Sequence, residues 1–182
     1  MHIVVISGSN RIGRKSHDVA NYLVDRVKER SEVKRVTLLD VHEYAFPVLE
    51  ERRGRLDKEI EGLEEFGQTL EKADALVIVT PEYNGGMAGS LKNTLDYFRK
   101  EFDHKPMTAV TVSSGNFGGV NALHQLWFWM QYVGGIVSPQ KLLVSNVNDV
   151  FDDEGNAVDE RFVRNSGKTI DDLIWLTKKI MD

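Results

Sequence analysis

Three glycine-rich stretches hold the residues best suited to gripping a small molecule. The first, Gly8-Ser9-Asn10-Arg11-Ile12-Gly13-Arg14-Lys15-Ser16-His17, runs straight into a helical pattern. Unpaired N–H groups and the positive end of a helix attract an anion there. Ser9 and Ser16 can add hydroxyl donors, and Arg11 and Arg14 charge-assisted ones, so phosphate is the natural guest. The alternative is that Ser16 only caps the helix and the basic side chains are solvated. The second stretch runs from Pro81-Glu82-Tyr83-Asn84-Gly85-Gly86 through Gly89-Ser90-Leu91-Lys92-Asn93. Pro81, with fixed φ and no N–H, is expected to stop the strand before it. Gly85 and Gly86 can adopt positive φ and let a flat ligand come close to the backbone. The third stretch, Ser113-Ser114-Gly115-Asn116-Phe117-Gly118-Gly119, offers small hydroxyls and bare backbone, or else is only a flexible connection.

Other site chemistries fail on particular residues. The first loop nearly spells G-x-x-x-x-G-K-[ST], but Arg14 is inserted before Lys15, and the strand ending Thr80-Pro81-Glu82 lacks an Asp at its tip. The dinucleotide fingerprint G-x-G-x-x-G fails because Asn10 occupies its second glycine. His17, His42, His104 and His124 have no ligand-pair spacing, so no metal site is expected. Asp152-Asp153-Glu154-Gly155-Asn156 lacks the alternating carboxylates of a calcium loop and reads as a polar turn. With no cysteine in the chain, disulfides, thiolate sites and cysteine nucleophiles are excluded.

The elements that must position these loops alternate between two periods. Apolar runs at 3–7, 75–80, 108–113 and 142–147 read as strands, and 33–39 as a half-alternating one nearer an edge. Between them, helices are expected from Ser16 through Val19, Leu23 and Val27, over Ile60 to Leu70, from Gly89 to Arg99, and over Val120 to Val133. Ile170 to Thr177 marks a closing helix, and 41–57 a long connection carrying Arg52, Arg53 and Arg55. Such alternation gives one α/β domain over residues 1–182, a doubly wound five-stranded parallel sheet of order 2-1-3-4-5 with helices on both faces. In that order the loops after strands one, three and four meet where the winding reverses, and these are the three glycine-rich stretches. A phosphate site at one end, with two loops bracketing a flat ring, describes a flavin mononucleotide.

A net charge of −5 argues against general nucleic-acid binding. No apolar run approaches the ~20 residues of a membrane span, and Ile3-Val4-Val5-Ile6 is too short for a signal-peptide core. A soluble, cytoplasmic protein is expected. Leu126-Trp127-Phe128-Trp129-Met130 is apolar around more than one helix face; it is either a doubly covered core helix or, as we favour, a subunit contact.

The chain resembles the NADPH-dependent FMN reductase family, flavodoxin-like enzymes that include quinone, azo-dye and chromate reductases. The resemblance rests on Gly8-Ser9-x-Arg11 with Ser16, on Thr80-Pro81-Glu82-Tyr83-Asn84-Gly85-Gly86 with Gly89-x-Leu91-Lys92-Asn93-x-Leu95-Asp96, and on Ser113-x-Gly115-x-x-Gly118-Gly119. It implies an FMN site made from Ser9, Asn10, Arg11, Arg14, Ser16, His17, Pro81, Glu82, Tyr83, Asn84, Gly85, Ser113, Ser114, Gly115, Gly118 and Gly119. It also implies NADPH as co-substrate, a small-molecule electron acceptor, no catalytic side chain, and a homodimer or homotetramer through the helices after Gly89 and Gly119. Family members often place the first-loop serine three residues after the arginine, whereas Ser16 follows Arg11 by five. Ser16, Arg14 and the backbone are the alternatives for the far phosphate oxygen. The competing readings are a flavodoxin-type FMN electron carrier without enzymatic activity and a P-loop phosphotransferase.

Overall fold

The computed structural model describes residues 1–181. Its strands are β1 (His2–Ser7), β2 (Arg35–Asp40), β3 (Ala75–Tyr83), β4 (Gly86–Met87), β5 (Pro106–Val112), β6 (Ile136–Val137) and β7 (Leu142–Val144). The helices are α1 (Lys15–Lys28), α2 (Val41–Tyr44), α3 (Leu63–Lys72), α4 (Gly89–Asp96), α5 (Val120–Tyr132) and α6 (Glu160–Met181). Alternation along each central strand sends successive side chains to opposite faces. Ile3, Val5, Val77, Val79, Val110 and Val112 pack with α1 and α6. Val4, Ile6, Leu76, Ile78 and Ala109 pack with α3, α4 and α5. Covered on both sides, these strands can be apolar throughout, which is why β1, β3 and β5 stand out in the sequence.

The sheet corrects the expected 2-1-3-4-5 order of five strands. Seven strands are present in the order β2-β1-β3-β5-β6, with β7 also beside β5 and β4 beside β3. The parallel, doubly wound core is as expected, but its last position is broken in two. Ile136–Val137 pairs with Pro106–Met107, and Leu142–Val144 with Val110–Val112. Between them Pro139 has no N–H to give a ladder. Asp172 of α6 instead accepts from Ser138 Oγ and the Gln140 amide, while Thr108 Oγ1 donates to the Gln140 carbonyl.

Pro81 does not end its strand either. β3 continues to Tyr83, with Pro81 opposite Val112, because β1 has already stopped at Ser7 and leaves that side without a neighbour to satisfy. The chain then turns back through Asn84 (φ 50°) and Gly85 (φ 78°) to the antiparallel strand β4. Positive φ at both central residues is what a tight type I′ hairpin requires. Gly86 is not in that region; it is small because Gln125 of α5 reaches in beside it, with Oε1 2.9 Å from where a Cβ would lie. The closing helix is longer than expected, and Ile60 lies before α3 rather than within it.

The 41–57 connection is pinned by Arg53. Its guanidinium donates to Glu64 (2.6 Å), Glu71 (2.5 Å) and Glu101 (2.7 Å), and lies over the α3 backbone at Gly67. These bonds push the Arg53 pKa up, and the same Arg53 bonds, then Gln68, lower that of Glu64 to about 2. Arg53 is thereby committed to these three carboxylates. Arg53→Met is expected to cost about 2–4 kcal/mol, chiefly through the largely buried Glu101 it leaves unpaired. Because the Glu64 pKa is depressed on folding, its contribution is present above about pH 4.5 and is lost as pH falls toward 2. Urea melts between pH 5 and 2 should therefore be flatter for the variant.

Candidate functional site

The three expected loops meet at the C-terminal edge of the sheet and are tied to one another. Tyr83 Oη and Ser9 Oγ are 2.8 Å apart, joining the second loop to the first. Glu82 joins the second to the helix that follows the third: its carboxylate accepts from the Asn121 and Ala122 amides of α5, at 2.9 and 3.1 Å, and from Asn121 Nδ2. It thus caps α5 at the positive end of the helix. Gln125 Oε1 accepts from the Met87 amide at 2.7 Å, a second tie between α5 and the hairpin.

A cavity of about 330 Å³ opens among the loops. Of the expected residues, Arg11, Arg14, Ser16, Pro81, Glu82, Tyr83, Ser113 and Ser114 line it. Gly13, Lys15, Val112, Val147 and Asn148 complete the wall; the last two sit just beyond β7, where the sequence carries no signal for them. Ser9 is buried beneath the floor, its hydroxyl taken by Tyr83 and the Arg11 amide. Asn10 faces a separate cleft beside Val41, Phe46 and Asn93. His17 points away toward Ser7 Oγ and Asp40, each 3.2 Å from Nδ1. Asn84 and Gly85 form the exposed hairpin tip. In the third loop Ser114 to Phe117 are exposed. Gly118 and Gly119 lie buried at positive φ, where a Cβ would press on Leu143 and Thr111 respectively.

The phosphate end can be tested against the side chains themselves. Ser16 does not cap α1: the N-cap is Arg14, which makes no side-chain cap bond, and Ser16 is the second residue of the helix. Its Oγ is buried and has no hydrogen-bond partner among the described residues. A buried hydroxyl without a partner costs about 1–3 kcal/mol, and at the anion-attracting end of a helix a phosphate oxygen would satisfy it. Arg11 stands exposed beside it, its guanidinium 5.7 Å from the Tyr83 ring centre. Arg14 faces inward: both its terminal nitrogens donate to Asp40, Nη2 at 2.7 Å, and Nη1 also to the Ser9 carbonyl at 2.8 Å. The Ser16 hydroxyl, the exposed Arg11 guanidinium and the helix amides fit a phosphate monoester.

Comparison with known proteins agrees. The sequence profile of the NADPH-dependent FMN reductase family matches residues 1–149. The chain is 30% identical to an NADPH azoreductase of Bacillus sp. (strain OY1-2) over 149 residues, covering 81% of this chain and 79% of that enzyme. It is 26% identical to a quinone reductase of Pseudomonas putida over 164 residues, covering 87% and 85%. Among solved structures, the flavoenzyme NAD(P)H:(acceptor) oxidoreductase FerB of Paracoccus denitrificans superposes with a TM-score of 0.82 at 20% identity, over 98% of this chain and 97% of that one. The chain therefore belongs to the NADPH-dependent FMN reductase family, oxidoreductases that work with FMN and NAD(P)H.

Proposed function

We propose that this protein passes two electrons from NADPH, through bound FMN, to small acceptors of the quinone, flavin, azo or metal-oxyanion type. The observation that carries this reading is the unpartnered Ser16 Oγ at the foot of a cavity closed by three cross-tied loops. FMN supplies the hydride and electron chemistry, so no side chain need act as acid, base or nucleophile. What the protein does is bind and orient. Arg11, Ser16 and the first turn of α1 hold the phosphate. The Pro81–Gly85 hairpin and the backbone of Ser113 to Ser114 would hold the ring, with N–H donors supplied by the exposed third loop. The bonds of Glu82 to α5 and of Tyr83 to Ser9 hold the hairpin in place. Purified protein should be yellow and should oxidise NADPH rapidly once a quinone or azo dye is added. A colourless protein that takes up no FMN offered in excess would refute the proposal.

The aromatic face of α5 supports a homo-oligomer. Leu126 and Trp129 are buried in the monomer, but Phe128 and Tyr132 are 71% and 70% exposed and stack on each other at 6.1 Å. They border a groove of about 520 Å³ between α4 and α5, lined also by Met87, Phe98 and Lys92. A second copy laid on this face would cover an apolar patch beside the flavin site. Phe128→Ser with Tyr132→Ser is expected to convert the species seen by sedimentation to a monomer at micromolar concentration, while changing monomer stability by less than about 1 kcal/mol. Among the described residues no helix is long and apolar enough to cross a membrane. With no cysteine in the chain, a cytoplasmic location is the reading we adopt.

A further inference from the structure

We propose that Asp40 is a positioning residue for the phosphate site, acting through Arg14 on the first loop. The proposal rests on the FMN reading above and extends it to a residue outside the cavity. Asp40 ends β2, one strand away from the loop, and is only 7% exposed. Its carboxylate accepts from both terminal nitrogens of Arg14 and from the His42 amide at 3.0 Å, with His17 Nδ1 3.2 Å away. Arg14 then passes the restraint on by donating to the Ser9 carbonyl. One buried carboxylate thus fixes the start of the loop at Ser9 and its end at Arg14 and His17.

The geometry also decides between the candidates for the far phosphate oxygen. Turning Arg14 into the cavity would leave the Asp40 carboxylate buried without its partner, a costly exchange. Arg14 therefore stays a strut. With the Arg14 guanidinium held by Asp40, Ser16 Oγ on the cavity wall is the side-chain donor that remains for the far phosphate oxygen. The anchor should matter for ligands that carry a phosphate and not for the ring alone.

Riboflavin, which is FMN without its phosphate, provides the control. Dissociation constants for FMN and riboflavin would be measured by flavin fluorescence quenching on apo-protein of the wild type, Asp40→Asn, and the double variant Asp40→Asn with Arg14→Met. The double variant removes both buried charges and protects against misfolding of the single one. The expected result is a loss of FMN affinity of about 10- to 100-fold in both variants, with riboflavin affinity changed less than about twofold. FMN affinity within about twofold of wild type in the folded double variant would overturn the proposal, as would a parallel fall for FMN and riboflavin. Wild-type protein that binds neither flavin would instead refute the FMN reading itself.

Discussion

Ser16→Ala is expected to weaken FMN binding about 10- to 100-fold while leaving the apo-protein as stable as wild type or more stable, by up to about 1 kcal/mol. The opposite signs follow from one atom. Ser16 is 2% exposed, and its Oγ is buried without a partner among the described residues. Alanine removes that unsatisfied hydroxyl, keeps the backbone amide, and is the better helix former within the first turn of α1. A phosphate, on the other hand, loses a charge-assisted hydrogen bond. Flavin titration gives the first quantity and urea midpoints of apo-protein the second. A drop in apo stability above about 1 kcal/mol would make Ser16 a structural residue, and unchanged FMN affinity would remove it from the site.

The residues that could be read in advance are those whose signal is local. β1, β3 and β5 are apolar on both faces, and α1 repeats Val19, Leu23 and Val27 at helical spacing, so period and burial speak directly. The three loops were legible because glycine, proline and small hydroxyls crowd into short windows. What sequence could not supply was pairing across distance. Asp40 meets Arg14 from 26 positions away, and Glu82 caps a helix that starts 38 positions later. Arg53 looks like any solvated arginine until α3 brings Glu64 and Glu71 to it. The hairpin is hidden in the sequence for a different reason: Pro81 is a strand breaker by its chemistry, yet β1 ends early enough to make it harmless at that point. Likewise Pro139 divides a strand whose apolar ends, taken alone, show only a short run at Leu142.

Gly8→Ala should destabilise the protein by about 3 kcal/mol or more. Gly8 follows β1 where the first loop leaves the sheet, and three elements converge on it. Its amide donates to the Val79 carbonyl of β3 at 2.9 Å, and its carbonyl accepts from Ser90 Oγ of α4 at 3.0 Å. A Cβ there would stand 2.7 Å from Val79 O and 2.8 Å from Leu91 Cδ2. The leucine could be trimmed, but the carbonyl is backbone in the middle of the central strand and cannot move without dragging the β3–β5 ladder. Adding Leu91→Ala should therefore give no rescue and should cost about 2–5 kcal/mol more for the fully buried leucine. Because Gly8 sets where Ser9, Arg11 and Ser16 begin their path, FMN affinity should fall together with stability, the reverse of what Ser16→Ala does. A folded Gly8→Ala protein within about 1 kcal/mol of wild type, binding FMN normally, would mean that the loop is not seated on the sheet in this way.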